Sequence, residues 1–322
     1  MGKHVIRQTP KPMPSAQRVT SFTQKLPQPY IVVGSRGLSA NENRQPNIDV
    51  HGNYRFATGD LQSFVGKHAI FFVPGYNNTT NDTLAAASDF FGKLHPSLVH
   101  DGINPADYTY ALFTWPGDTG TIFFDDAQIY AQHSGSALFK LFADTQANPP
   151  RSIVIITHSL GAHVALRSLS ILGERLARQK ANFRVNSVLL LGAAVEADVF
   201  SRPERKEEFH FPESAFGMQD LYISVSRSDN VLGGPFRVNE EDVALGFAGP
   251  EDMGTLKSLA RRVAEVLDPV LGAPQRFTFE ALDFSTNSAT IMNPELHVAG
   301  HGEYWKSPKQ TDYYVNLIKF RP

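Results

Sequence analysis

Residues 152–162 read Ser-Ile-Val-Ile-Ile-Thr-His-Ser-Leu-Gly-Ala, an apolar strand pattern running into a serine, then into a helix pattern carried by Leu166, Leu169 and Leu172. A serine at a tight strand-to-helix turn has its hydroxyl lifted above the edge of a sheet, where it can attack a carbonyl carbon. A serine hydroxyl is a weak nucleophile at neutral pH, so Ser159 needs a base, an acid that orients the base, and donors for the oxyanion that forms. A second pattern upstream could supply the donors. Phe71-Phe72-Val73-Pro74-Gly75-Tyr76-Asn77-Asn78 reads as a strand, a glycine loop and the approach to a helix. Gly75 would let the backbone pass close to a substrate, leaving the N–H groups of Tyr76 and Leu160 as an oxyanion hole, each contributing on the order of 3–4 kcal/mol to the transition state. Read alone, the same stretch is also an ordinary strand-to-helix turn capped by Asn77 or Thr79.

Where a serine is presented on such an elbow, its acid and then its base follow in the chain. Four histidines follow Ser159: His163, His210, His297 and His301. His163 lies in the elbow helix itself, and His210 precedes every late strand. His297 directly follows Pro294-Glu295-Leu296 and reads as structural. His301, in Gly300-His301-Gly302, has a loop setting that can present an imidazole, and is the favoured base. His158 points the other way along its strand from the nucleophile, which excludes it as base and leaves it a packing or supporting role. For the acid, Asp229 leads, because the strand pattern Leu221–Val225 runs through Ser226-Arg227-Ser228 into it. Asp198, a few residues beyond another strand, is the second candidate, and Asp283 lies too near His301 in sequence for a separate loop.

The elements that must position these residues follow a regular rhythm. Strand patterns cover residues 30–33, 69–73, 108–113, 152–157, 187–191, 221–225 and 276–282, and helix patterns cover 79–94, 125–142, 160–179, 255–267 and 311–319. Apolar strands alternating with amphipathic helices predict a mostly parallel sheet covered on both faces. Residues 1–29 carry Pro10, Pro12, Pro14, Pro27 and Pro29 and read as an extended arm, residues 38–53 are polar and turn-rich, and residues 30–322 read as a single domain. Two excursions, near 200–220 (with the charged run from Arg202 to Glu208) and 230–275, interrupt the rhythm after strands, on the sheet edge where ligands bind in such folds.

Composition narrows the chemistry. The 322 residues include no cysteine, which excludes disulfides, thiolate metal sites and a cysteine nucleophile. Formal net charge is −2, with Lys and Arg dispersed along the sequence, so no nucleic-acid or anionic-membrane footprint is expected. No run approaches the ~18 apolar residues of a membrane span, and no secretory signal is recognisable, which predicts a soluble, cytoplasmic protein. No cofactor or metal is implied: His95 and His100 bracket Pro96, lack further ligands, and are expected at the surface. Hydrophobic content of 42%, including 23 Phe, is enough for a large core and an apolar pocket. Trp115, Phe123 and Phe124 are equally suited to line such a pocket or to fill the core.

Taken in order, Phe72-Val73-Pro74-Gly75-Tyr76-Asn77-Asn78, Thr114-Trp115-Pro116-Gly117, Thr157-His158-Ser159-Leu160-Gly161, Ser226-Arg227-Ser228-Asp229 and Gly300-His301-Gly302 resemble a family of α/β-hydrolases of unknown function related to esterases and lipases. The resemblance spans roughly residues 69–319, apart from the two excursions. It implies an α/β-hydrolase fold, Ser159 as nucleophile, Asp229 as acid, His301 as base, and Trp115 beside the substrate. The chain departs from the pattern at Pro74, where the family usually has His, and at Thr157, where the general elbow has its first glycine. The expectation is a serine hydrolase that cleaves a carboxylic ester or related acyl bond of a small-molecule substrate through a Ser-His-Asp triad. Amide hydrolysis and acyl transfer would use the same triad. A hydrolase-like scaffold that binds without turnover would have no need of all three residues.

Overall fold

A computed structural model describes residues 30–36, 53–119, 124–201, 209–240, 242–289, 291 and 293–318. The expected arm at 1–29, the turn-rich stretch before 53, Phe123 and the charged run at 202–208 lie outside the described residues. Eight strands form one sheet: β1 Ile31–Gly34, β2 Arg55–Thr58, β3 His68–Val73, β4 Tyr108–Thr114, β5 Ser152–His158, β6 Val185–Leu191, β7 Met218–Val225 and β8 Thr278–Asp283. The spatial order is β2-β1-β4-β3-β5-β6-β7-β8, with β2 antiparallel to β1 and every other pairing parallel. This is the α/β-hydrolase architecture expected from the alternating pattern, with the serine strand β5 near the middle of the sheet. The edge strand β2 was not anticipated, because its four residues are half-exposed and carry no apolar run.

Both faces of the sheet are covered, which explains the nearly unbroken burial along β3, β4 and β5. Alternate side chains feed two cores. Phe71 and Val73 face α2 (Phe124–Thr145), α3 (Gly161–Ala177) and α7 (Met253–Leu271), where Leu138, Leu166, Leu169 and Val263 are buried. Ile70 and Phe72 face α1 (Thr80–His100) and α8 (Pro308–Leu317), meeting Phe90, Phe91, Tyr314 and Val315. Thr79 and Asp82 form a reciprocal capping box that starts α1 just beyond the glycine loop.

Helix α1 corrects an expectation. The helix pattern in the sequence is expected to end at residue 94, yet the helix continues through Pro96 to His100. Ser97 then reaches Asp312 Oδ1 at 2.6 Å, tying this last stretch to α8. His95 is consequently 7% exposed, with Nδ1 2.9 Å from the Tyr110 hydroxyl, and belongs to the core, whereas His100 is exposed.

The excursion after β7 contains a π-helical turn at Leu232–Phe236, α5 (Arg237–Glu240), α6 (Leu245–Ala248) and α7; the one after β6 ends in the short α4 (Ser214–Gly217). Backbone hydrogen bonds from Leu245 to Val195, Gly246 to Ala193 and Ala197 to Val243 stitch the two together. No helix among the described residues is long and apolar enough to cross a membrane.

Candidate active site

At the end of β5 the chain turns through Ser159 with φ of 53°, a left-handed conformation that only over-determined surroundings hold for a non-glycine residue. The Ser159 N–H donates to Leu191 O at 3.0 Å, and its carbonyl accepts from the Ala162 N–H at 3.1 Å. Two glycines make the turn possible. A Cβ at Gly161 would lie 2.3 Å from Val73 O, and one at Gly75 would lie 2.7 Å from Ser159 Cβ. Both are closer than atoms can pack, so the glycine loop and the elbow are pressed together by the absence of two side chains.

The loop after β3 is held from below. Trp115 Nε1 donates to Pro74 O at 2.7 Å, Asn77 N–H to Gly117 O at 2.8 Å, and Asn78 Nδ2 to Gly75 O at 3.1 Å. Buried Arg36 donates to Trp115 O at 2.7 Å, to Asn78 O at 3.2 Å and to Asp118 Oδ1 at 2.6 Å. Burial lowers the pKa of this guanidinium, and the Asp118 carboxylate offsets part of that fall. Trp115 is 2% exposed. Of the two places expected for it, pocket wall or core, the indole takes the buried one, as a strut under the loop. The Leu160 N–H, one residue before α3, meets no acceptor among the described residues. Tyr76 is half-exposed, with its ring 5.4 Å from Phe124, which in turn lies 5.8 Å from Phe236. An aromatic row thus flanks the elbow.

Asp229 and His301 meet across the ends of β7 and β8. His301 Nδ1 lies 2.7 Å from Asp229 Oδ2. A carboxylate can only accept there, so Nδ1 carries a proton toward it. Asp229 is fully buried, and its Oδ1 accepts from the Val231 and Leu232 N–H groups, each at 3.1 Å. The Tyr304 hydroxyl donates to Oδ2 at 3.0 Å. Burial pushes the Asp229 carboxyl up. The hydrogen bond and charge of His301, the Leu232 N–H and the Tyr304 hydroxyl outweigh it and hold the group below the usual carboxylate range. Burial, then the Asp229 charge, drive the Tyr304 hydroxyl well above its ordinary pKa, so it stays a donor.

His158 links the two halves. Its Nε2 lies 2.7 Å from the backbone carbonyl of His301, and the two rings are 4.7 Å apart. Burial, then the neighbouring His301 charge, lower its pKa to about 3, so it remains neutral and donates to that carbonyl. The residue beside the serine therefore anchors the loop that carries His301. Among the described residues no hydrogen bond joins Ser159 Oγ to His301; the Asp229–His301 pair is assembled, and its contact with Ser159 is not.

The other candidates fall elsewhere. Asp283 caps its own turn through the Ser285 N–H at 3.0 Å, and His297 Nε2 lies 2.9 Å from Ile291 O. His163 is buried between Phe209 and Phe211. Asp198 lies 3.4 Å from His210 Nε2, which is also 3.2 Å from Glu196. These last three form the one group among the described residues whose side-chain atoms converge as metal ligands do, within 4.8 Å of one another. A packing or supporting role for His158 is expected from the sequence, but its partner is not, and the supporting roles of Tyr304 and Arg36 left no mark in the local sequence, since each acts on a residue distant in the chain. Only the spacing of Tyr304, three residues beyond His301, hints at a shared turn.

No curated protein matches the chain. Among solved structures it is similar to the esterase Pf2001 of Pyrococcus furiosus, at 13% identity over 80% of this chain and 81% of that one, with a TM-score of 0.37. It is similar to esterase B of Lactobacillus rhamnosis at 11% identity over 83% of this chain and 78% of that one, TM-score 0.41. A third likeness is to TT1662 from Thermus thermophilus, at 11% identity over 80% and 91% of the two chains, TM-score 0.37. Residues 55–273, well over half of the 322, match the family described as alpha/beta hydrolase of unknown function (DUF900), and the chain belongs to that family.

Proposed function

We propose that this protein is a serine hydrolase that cleaves a carboxylic ester or related acyl bond through a covalent acyl-enzyme. The observation that carries the reading is the buried Asp229–His301 pair, with the proton fixed on Nδ1 and tied through His158 to a strained serine elbow.

In this reading substrate binding closes the gap between Ser159 Oγ and His301 Nε2, a contact that often tightens only when substrate arrives. Nε2 takes the hydroxyl proton as Oγ attacks the carbonyl carbon. Asp229 stabilises the imidazolium and keeps its tautomer. The N–H groups of Leu160 and Tyr76 receive the oxyanion. The tetrahedral intermediate expels the alcohol, which takes its proton from Nε2, and water repeats the sequence to release the acid. The row of Tyr76, Phe124 and Phe236 offers an apolar wall for the acyl chain.

The test is hydrolysis of a series of p-nitrophenyl esters of increasing acyl length, following the pre-steady-state release of p-nitrophenol. A burst equal to the enzyme concentration that disappears in Ser159→Ala is the expected result. Turnover that persists in folded Ser159→Ala would remove the nucleophile, and with it the mechanism.

A further inference from the structure

On the outer surface, away from the elbow, α2 and α3 line a half-open groove of about 730 Å³. Its lining includes Lys140, Arg167, Arg175, Arg178 and Lys180 against a single carboxylate, Glu174. In the sequence these cations are spread over some forty positions, which is why they give no charged run. Folding gathers them. The two helices approach closely at Gly135, where a Cβ would lie 2.6 Å from Arg167 Cβ, so the Arg167 side chain rises directly from the helix–helix contact. At the end of α3, Gln179 adopts φ of 56° and Lys180 N–H returns to Arg175 O at 2.7 Å, which folds Lys180 back beside the last turn.

The charge there is incompletely neutralised. Lys140 pairs with Asp144 at 2.8 Å and Arg178 with Glu174 at 3.6 Å, whereas Arg167, Arg175 and Lys180 meet no carboxylate among the described residues. Cations in a last helical turn complement the helix dipole, which accounts for Arg175 and Arg178. It does not account for Arg167 in the middle of α3 or Lys140 on the other helix. Arg175 stacks 4.8 Å over the Phe139 ring, which presents its planar fork at the rim of the groove.

We propose that this groove binds a small molecule carrying at least two phosphate groups. Arginine forks match phosphate oxygens bidentately, and three unneutralised cations from two helices ask for more than one anionic group. The groove is open to solvent along one side, and its volume falls in the range of small-molecule sites, usually ~300–1,000 Å³. This suits a compact polyphosphate better than a nucleic-acid strand.

The experiment is titration calorimetry of the full chain with inorganic pyrophosphate and with inositol trisphosphate, alongside sedimentation with vesicles containing phosphatidylinositol bisphosphate. Saturable binding that weakens about tenfold or more in Arg167→Gln and in Arg175→Gln, and is unchanged in the distant Lys257→Gln, is the expected result. Binding of the soluble probes alone identifies a free ligand as the source of the phosphates, and binding of vesicles as well identifies a lipid headgroup. The proposal is overturned if no probe binds at millimolar concentration, or if the arginine variants bind as wild type does. Tighter binding of a single-stranded oligonucleotide through the same arginines would also overturn it, by reassigning the groove to nucleic acid. Fluorophosphonate labelling of Ser159 should be unchanged in all three variants, which shows that they remain folded.

Discussion

His301 and His210 both sit against carboxylates on loops that follow neighbouring strands, and they differ in which ring nitrogen is engaged. His301 gives Nδ1 to Asp229 and leaves Nε2 uncommitted. His210 turns Nε2 to both Glu196 and Asp198, at 3.2 and 3.4 Å, while its Nδ1 is buried without a partner among the described residues. No nitrogen of His210 is therefore left to face a substrate. The carboxylates differ as well. Asp229 accepts from four groups and is held below the ordinary carboxylate range. Glu196 is pushed up by burial and by neighbouring Asp198 and Asp242, against the pull of His210. A histidine beside a carboxylate thus keeps one ring nitrogen uncommitted in one place and is closed in against two carboxylates in the other; the distinction lies in ring orientation and in how fully the carboxylate is satisfied.

The comparison can be broken most severely at the first pair. His301→Ala should lower kcat for ester hydrolysis by on the order of 10⁶, and Asp229→Asn by about 10⁴ through the wrong tautomer. Tyr304→Phe removes one donor from Asp229 and should cost about tenfold in kcat with little change in KM, read from steady-state kinetics. At the second pair the expectation reverses. His210→Gln should leave kcat within a fewfold of wild type while lowering stability by about 1–3 kcal/mol in urea unfolding, because it removes the group that faces two carboxylates. A large loss of kcat in a stable His210→Gln would sink the contrast.

A further test concerns pH. Burial, then the Arg167 charge, lower the His163 pKa from 6.5 to about 3. Below pH 6.5 the unfolded chain binds a proton there that the native state refuses. Stability therefore falls as pH drops from 6.5 toward 3, by up to about 1.4 kcal/mol per unit for this group. His158 adds a slope of the same sign. His163→Leu should make urea midpoints less steep with pH over that window, and an unchanged slope would show that His163 is not the group responsible.

Much of this architecture is legible in the chain because buried parallel strands are continuous apolar runs, as in β3 and β5, and the helices between them carry a clear stripe. Serine, glycine loop and late histidine were legible because tight turns demand special residues at fixed spacing. What stayed hidden is what tertiary contact decides. The helix pattern reads only to residue 94, yet α1 continues past Pro96 and places His95 against Tyr108 and Tyr110. The four residues of β2 carry no apolar run, and their pairing is with β1, far back in the chain. Trp115 is equally suited by sequence to a pocket or to the core, and only the contact of its indole with Pro74 O shows which neighbour it holds. Arg36 lies in an unremarkable turn, and its role depends on Asp118, which is distant in sequence.

The central claim is that Ser159 is activated by the Asp229–His301 pair, and labelling with a fluorophosphonate tests it most directly. The account predicts one covalent adduct per chain, mapped by peptide mass spectrometry to Ser159, absent in Ser159→Ala and His301→Ala and slowed in Asp229→Asn, with labelling intact in His210→Gln. Folded wild-type protein that stays unlabelled, or an adduct on any other residue, would contradict it.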